Sequence, residues 1–357
     1  MKNILVIDDS ALMRRVISDI IMETKEYRVK YTASDGAKGL AIIEKHIDEI
    51  DAVICDINMP NMNGLELLRI VKERMLDLPF IIFSSNSDIS DTLTALELGA
   101  IEFIKKPERI MSRHRSDYSG KVLKALDMAT QIRRTKTVPQ VESIQSIAKV
   151  EKKVVYQPTV NVKGNRRRLV ALCCSTGGPR ALQFVIPKLP HNLAAPVVIV
   201  QHMPAGFTYS LAKRLDGMSE ICVKEAEDNE VIEPGNCYIA KGGTHLTLYC
   251  DRGKNHIRFD NSEPVAGLKP CGNIMYNSLI DTDYDEIICV ILTGMGADGT
   301  KGILELAKHK RVYVIAQDEE TSTVYGMPRA IYEKGIVDEV CAIEDIAGEI
   351  TKKAGVR

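Results

Sequence analysis

The stretch Leu169-Val170-Ala171-Leu172-Cys173-Cys174-Ser175-Thr176-Gly177-Gly178-Pro179 joins an unbroken apolar run to a hydroxyl, a glycine pair and a proline. A short continuous apolar run closed by turn residues reads as a buried β-strand. Ala181 to Ile186 then carries helical spacing, so the chain passes from strand through a tight turn into a helix, the unit of an α/β fold on a parallel sheet. Ser175 stands at that turn with backbone donors nearby. A serine at a strand end is ordinarily a helix N-cap, and Cys173 occupies the place of the first glycine in the G-x-S-x-G elbow, so any chemistry must come from the surroundings.

Downstream, further strands read at Val197 to Val200, Cys222 to Lys224, Cys237 to Ala240, Leu246 to Tyr249, Ile287 to Leu292 and Val312 to Ile315. His202 follows the Val197 to Gln201 strand, and Asp298 lies in Leu-Thr-Gly-Met-Gly-Ala-Asp-Gly directly after the Ile287 to Leu292 strand. A serine hydroxyl needs an adjacent base to become nucleophilic, and that imidazole needs a carboxylate to fix its tautomer and stabilise its charged form. Ser175, His202 and Asp298 supply these types at strand ends able to share one crevice. The chain order differs from the Ser, Asp, His order of α/β-hydrolases. The glycines flanking Met295 permit close backbone approach, making its amide a candidate oxyanion donor.

Upstream, residues 1 to about 107 alternate short β-branched runs with amphipathic ones, again the pattern of a parallel sheet covered by helices. The strands read as Ile4 to Ile7, Arg28 to Thr32, Ala52 to Cys55, Phe80 to Phe83 and Glu102 to Ile104. Met13, Val16, Ile17, Ile20 and Ile21 form one helical face, and Leu65, Leu68 and Val71 another. Asp8, Asp9 and Asp56 fall at the predicted C-terminal ends of the first and third strands, where open α/β sheets place ligand crevices. Three converging carboxylates call for a hard divalent cation such as Mg2+. Ser84 and Lys106 end the fourth strand and follow the fifth, adding a hydroxyl and a cation to the rim.

Between these regions, from Arg109 to about Arg168, the pattern decays into mixed charge, Ser and Thr with Pro139 and Pro158. Ser119 to Arg134 reads as a helix closing the first domain, and the remainder as a linker long enough for the domains to change relative position. The expected organisation is a domain at 1–130, a linker at 131–165 and a second domain at 166–353.

Composition agrees with two domains: 357 residues, 45% apolar and 27% charged, exceed one typical domain. The 47 Lys+Arg nearly cancel the 48 Asp+Glu, leaving a net charge of −1, which removes the electrostatic argument for binding nucleic acid or an acidic membrane. No apolar stretch is long enough to span a bilayer, and the Met1 to Ile7 run is stopped by Asp8 and Asp9, unlike a signal peptide. A cytoplasmic protein without membrane insertion is expected. The nine cysteines include no C-x-x-C pair, so neither a disulfide framework nor a zinc site is indicated.

In the first half, Asp56 followed by Met59-Pro60 and Gly64, Ser84 after an apolar strand, and Lys106-Pro107 after Phe103 resemble the doubly wound (βα)5 receiver domain of response regulators. The resemblance implies that Asp56 accepts a phosphoryl group from a histidine kinase, with Asp8, Asp9, Asp56 and the backbone of Asn58 holding Mg2+. It also implies that Lys106 pairs with the phosphoryl charge while Ser84 and Phe103 switch conformation.

In the second half, Ser175-Thr176-Gly177-Gly178-Pro179, Gln201-His202-Met203-Pro204 with Phe207-Thr208, Leu292-Thr293-Gly294-Met295-Gly296 with Asp298-Gly299, and Ala316-Gln317-Asp318-Glu319 with Gly326-Met327-Pro328 resemble the catalytic domain of the chemotaxis protein-glutamate methylesterase (CheB) family. An N-terminal receiver is that family's domain order. The resemblance implies a Rossmann-like parallel-sheet domain in which Ser175 attacks glutamate methyl esters on methyl-accepting chemoreceptors. His202 would act as base and then acid, Asp298 would orient it, and the Met295 amide would hold the oxyanion, with no cofactor needed. Glutamine deamidation by the same site is also implied. The domain order and the long linker lead to the expectation that the unphosphorylated receiver packs over the Ser175 crevice and that phosphorylation of Asp56 weakens this contact.

One block departs from the family. Leu268-Lys269-Pro270-Cys271-Gly272-Asn273 stands where His-x-Pro-Ser-x-Asp is expected, and Lys241 follows Tyr238-Ile239-Ala240 where proline is usual. These changes are expected near the active-site rim and bear on substrate recognition. They leave a second reading open, a phosphorylation-controlled interaction module with a degenerate or re-targeted hydrolase half. The C-terminal Lys352 to Arg357 segment holds no aromatic-acidic peptide for receptor docking.

Overall fold

The computed structural model describes residues 1–84, 89–106, 115–137 and 166–357, and the chain divides into two compact units. Pro107 of the Lys106-Pro107 motif and residues 138–165 of the expected linker lie outside the described residues.

In the first unit, β1 (Lys2–Ile7), β2 (Tyr27–Ala33), β3 (Ala52–Asp56), β4 (Phe80–Ser84) and β5 (Glu102–Lys105) form a parallel sheet in the order β2-β1-β3-β4-β5. Residues of β3 and β4 are buried throughout, which explains their continuous apolar runs, since helices cover both faces of such a sheet. Ile7 pairs with Cys55 and Asp56 with Phe83, so Asp8 and Asp56 emerge side by side at one edge. Ser84 pairs with Lys105, which brings Lys106 to the same edge.

The helices are α1 (Ala11–Met22), α2 (Gly36–His46), α3 (Gly64–Glu73), α4 (Ile89–Glu97) and α5 (Arg115–Thr137). The Ser10 hydroxyl caps α1 by accepting from the Met13 amide at 3.3 Å, and α1 buries Met13, Ile17, Ile20 and Ile21 with Val16 part-buried. Asn63 and Glu66 form a reciprocal capping box on α3. The buried face of α3 carries Leu67, Leu68 and Val71, so Leu67 takes the central place expected for Leu65, which is half-buried. A side chain at Gly64 would collide with the Asp56 carbonyl, so the glycine seats α3 against the end of β3. Helix α5 begins four residues before the expected Ser119 and continues past residue 130 to Thr137.

In the second unit, β6 (Arg168–Cys174), β7 (Val197–Gln201), β8 (Cys222–Glu225), β9 (Asn236–Ile239), β12 (Glu286–Ile291), β13 (Arg311–Gln317) and β14 (Glu339–Cys341) form a parallel sheet ordered β14-β13-β12-β6-β7-β9-β8. Helices α6 (Gly178–Val185), α7 (Phe207–Asp216), α8 (Gly272–Ser278), α9 (Thr300–His309), α10 (Gly326–Tyr332) and α11 (Ile343–Ala354) accompany it. The Leu246 to Tyr249 strand does not join this sheet. It belongs to β10 (His245–Asp251), which pairs antiparallel with β11 (Lys254–Asp260) around Arg252 and Gly253. Both turn residues have positive φ, 49° and 76°, the geometry whose twist matches a two-residue hairpin.

Strands β12, β6 and β7 are neighbours at the centre of the sheet. Ile291 pairs with Cys173 and Cys174 with Gln201, so the segments following all three strands leave the same edge together. Leu169, Ala171, Cys173, Val198, Val200, Ile287, Cys289 and Ile291 belong to one core beneath that edge. Among the described residues, no helix is long and apolar enough to cross a membrane.

Candidate active site and phosphoacceptor pocket

The turn after β6 is held by backbone bonds at every side of Ser175. Its amide donates to the Thr293 carbonyl at 3.0 Å, and its carbonyl accepts from the Gly178 amide at 2.8 Å and from Gln201 Nε2 at 3.0 Å. Gly177 is left-handed, φ 78°, and a Cβ there would lie 2.5 Å from Thr323 Cβ and Oγ1. Both backbone strain and crowding demand glycine. Ser175 itself is half-buried.

His202 is fixed on the same frame, its amide donating to the Cys174 carbonyl at 3.2 Å. Its Nε2 lies 2.8 Å from Asp298 Oδ2, with both side chains more than nine-tenths buried. Its Nδ1 is buried without a hydrogen-bond partner. Carboxylate contact at Nε2 leaves Nδ1 as the nitrogen available for a proton from a hydroxyl.

Asp298 is gripped by four donors. His202 Nε2 and the Gly272 amide, at 2.5 Å, reach Oδ2, while the Asn273 amide at 3.0 Å and Cys271 Sγ at 3.2 Å reach Oδ1. Burial pushes the pKa of this carboxyl up, but the bonds from His202, Asn273 and Gly272 outweigh it and hold the pKa at about 2. The Asn273 side chain accepts from the Gly302 amide at 2.8 Å, tying α8 to α9. Cys271 and Asn273, expected at the rim, therefore face inward onto the aspartate and its supporting helix. Leu268 is half-buried and Lys241 exposed.

Cys173 shares this centre. Its sulfur, an imidazole nitrogen of His202 and a carboxylate oxygen of Asp298 lie within 4.8 Å of one another. Burial pushes the thiol well above its ordinary range, so it is a neutral apolar neighbour of the pair.

The loop Gly294-Met295-Gly296 runs beside the serine, since a Cβ on Gly294 would lie 2.8 Å from Ser175 Cβ. The Gly294 amide donates to Val324 at 2.9 Å and its carbonyl accepts from Met327 at 2.8 Å. Met295 is 39% exposed at the tip of this loop. Three polar residues not singled out individually from the sequence complete the frame: Gln201, Thr293 and Gln317 are each at most 1% exposed. Gln317 Oε1 accepts from the Thr293 amide at 2.8 Å, and Thr293 Oγ1 donates to the Thr176 carbonyl at 2.9 Å. Glutamines closing two otherwise apolar strands were the available signal, because buried amides require partners.

In the first unit, Asp8, Asp9 and Asp56 present oxygens within 4.8 Å of one another. Lys106 Nζ lies 2.7 Å from Asp56 Oδ2 and 2.9 Å from Asp8 Oδ2. An all-oxygen donor set of three carboxylates fits a hard divalent cation. Burial raises the Asp56 pKa against the opposing pull of Lys106. Burial works against the Lys106 charge, but its bonds to Asp56 and Asp8 prevail and raise its pKa. Ser84 Oγ accepts from Thr92 Oγ1 at 2.6 Å. Phe103 is half-buried and Asn58 exposed.

These arrangements coincide with known families. Residues 170–350 match the family model for CheB methylesterase, and residues 4–114 that for the response regulator receiver domain. The chain belongs to the CheB methylesterase family. A relative from Geobacillus kaustophilus, described as a protein-glutamate methylesterase/protein-glutamine glutaminase, is 38% identical over 99% of this chain and 98% of its own length. A relative of the same description from Bacillus subtilis is 40% identical over 98% of each chain. The crystal structure of the Thermotoga maritima CheB methylesterase catalytic domain is 44% identical, covers 52% of this chain and 98% of its own, and superposes with a TM-score of 0.51. In this CheB methylesterase family member, Ser175 and His202 directly follow the adjacent strands β6 and β7, and Asp298 lies in the segment after β12.

Proposed function

We propose that the two pockets are the input and output of one signalling enzyme. The chain is a phosphorylation-regulated protein-glutamate methylesterase with protein-glutamine glutaminase activity, serving chemotaxis, with chemoreceptors as substrates and a kinase as phosphodonor. Its organisation is a phosphoacceptor domain at 1–130, a connecting segment at 131–165 and a catalytic domain at 166–353.

The observation that carries the catalytic reading is the 2.8 Å contact of His202 Nε2 with Asp298, on a strand end adjacent to that of Ser175. Ser175 Oγ attacks the ester carbonyl carbon and its proton passes to His202 Nδ1. The developing oxyanion is held by the Met295 amide. On collapse the carbon–oxygen bond to the methoxy group breaks, and His202 returns the proton to release methanol. Water then adds to the acyl-serine, giving its proton to His202, and His202 passes that proton to the departing Ser175 Oγ, which restores the hydroxyl and leaves a glutamate side chain. With glutamine the acyl half is the same and ammonia leaves instead.

Asp56 is the phosphoacceptor, supplied by a chemotaxis-type histidine kinase. Asp8, Asp9, Asp56 and the Asn58 backbone would hold Mg2+, which when bound neutralises charge on the transferring phosphoryl group. Phosphorylation adds about two negative charges and three acceptor oxygens. Lys106, already between Asp56 and Asp8, follows that charge, while Ser84 exchanges its Thr92 contact for a phosphoryl oxygen and Phe103 moves with β5. The inward bond of Cys271 to Asp298 weighs against a decayed hydrolase half, and the relatives' descriptions lend the interaction-module reading nothing.

Mass spectrometry of a methylated receptor cytoplasmic fragment after incubation with the full chain tests this reading. Demethylated glutamates should appear with the wild type and not with Ser175→Ala. Equal demethylation by both proteins would overturn it.

A further inference from the structure

We propose that Cys271 is a positioning residue of the catalytic centre, its S–H bond to Asp298 Oδ1 holding the carboxylate in one orientation toward His202. The inference rests on the triad reading above and adds to it a donor from the residue that stands where the family block has serine.

Cys271 is 1% exposed and its Sγ lies 3.2 Å from Asp298 Oδ1. An ionised carboxylate only accepts hydrogen bonds, so the thiol is the donor. Burial and the neighbouring Asp298 charge push that thiol up to about 11, which keeps the proton in place at neutral pH. The residue occupies the N-cap position of α8 without the usual side-chain capping bond. Such a position ordinarily turns a side-chain acceptor onto the first helical amides. Here the Asp298 carboxylate takes that role, accepting from the Gly272 and Asn273 amides, and the capping residue's side chain turns to bind the carboxylate.

The result is two donors on each oxygen: His202 and Gly272 on Oδ2, Asn273 and Cys271 on Oδ1. The backbone donors supply one bond to each oxygen, and the thiol adds the second donor on Oδ1. Removing the thiol leaves Oδ1 with the Asn273 amide alone and increases the basicity of the carboxylate. The titratable groups facing Asp298 are His202 after β7, Cys173 in β6, and Cys271 and Tyr276 at α8. Of these, His202 is the proton carrier, so a more basic Asp298 holds its charged form more tightly and less base is present at a given acidic pH.

The test uses the full chain and two substrates, p-nitrophenyl acetate and a methylated receptor fragment, across a pH series. Cys271→Ser keeps a donor, Cys271→Val keeps approximate volume without a donor, and Cys271→Ala removes both. With p-nitrophenyl acetate, Cys271→Ser should retain kcat to within about twofold and the wild-type acid limb. Cys271→Val and Cys271→Ala should each lose about fivefold in kcat at unchanged KM, the worth of one hydrogen bond of ~1 kcal/mol, and their acid limbs should move to higher pH. Wild-type behaviour of Cys271→Val, or a loss in Cys271→Ser equal to that in Cys271→Val, would overturn the role. Should Cys271→Val lose native circular dichroism, the contrast of Ser with Ala decides in the same way. Ser175-dependent hydrolysis of p-nitrophenyl acetate without methanol from the receptor fragment would instead overturn the receptor-substrate reading and leave the Cys271 comparison intact.

Discussion

His202 reaches Asp298 through Nε2, 2.8 Å from Oδ2, and keeps Nδ1 buried with no hydrogen-bond partner. In the serine-protease template the carboxylate instead takes Nδ1 and the serine takes Nε2. The imidazole follows β7, beside the turn after β6, and meets the carboxylate carried on the loop after β12 through Nε2. The neutral imidazole should therefore carry its proton on Nε2. Nitrogen-15 NMR of His202 should show a protonated Nε2 and a bare Nδ1, and the opposite tautomer would contradict this proton path.

Asp298→Asn should lower turnover by on the order of 10³- to 10⁴-fold, because the amide cannot favour the charged imidazole. It should also remove a pH-dependent part of stability. The folded pKa of about 2 lies below the ordinary 3.8, so Asp298 stabilises the fold fully above 3.8 and loses that contribution as pH falls toward 2. The shift corresponds to about 2 kcal/mol. Denaturant titrations should show wild type exceeding Asp298→Asn by roughly that amount at neutral pH, with the gap closing at the acid end. A gap independent of pH would contradict the assignment.

Gly177→Ala should destabilise the catalytic unit and disturb the nucleophile together. Left-handed backbone costs a non-glycine residue about 1–2 kcal/mol, and the new Cβ would meet Thr323 at 2.5 Å. Thermal unfolding and p-nitrophenyl acetate turnover should both fall. Unchanged turnover would show that the turn does not position Ser175.

Thr92→Val removes the donor that engages Ser84 Oγ at 2.6 Å while preserving shape. A loss of about 1 kcal/mol is expected, and Ser84 should turn toward a phosphoryl group more readily. Half-maximal activation of the esterase should then require less phosphodonor, and a higher requirement would contradict the proposed switch.

The positions of Asp8, Asp56, Ser84, Ser175, His202 and Asp298 were legible because each follows or ends an apolar run, and parallel strands deliver such residues to one edge. Strand order was not legible from alternation, and it decides which distant groups meet. Gln201, Thr293 and Gln317 acquire their roles only once β12, β6, β7 and β13 are in order. The β10–β11 hairpin was seen by one strand alone because Lys254 to Asp260 is mostly polar and its pairing depends on the Arg252-Gly253 turn. Leu65 and Leu67 are both apolar, and one residue of helical phase decides which is buried. Cys271 was placed at the rim because the resemblance puts its block there, whereas the start of α8 turns its thiol onto Asp298.

The central claim, that phosphorylation at Asp56 governs hydrolysis at Ser175, is tested most directly by methanol release from methylated receptor fragments with and without a small phosphodonor and Mg2+. Wild type should release methanol faster with the phosphodonor, Asp56→Asn should show no such increase, and Ser175→Ala should release none under either condition. An undiminished phosphodonor response in Asp56→Asn, or release by Ser175→Ala, would contradict the account.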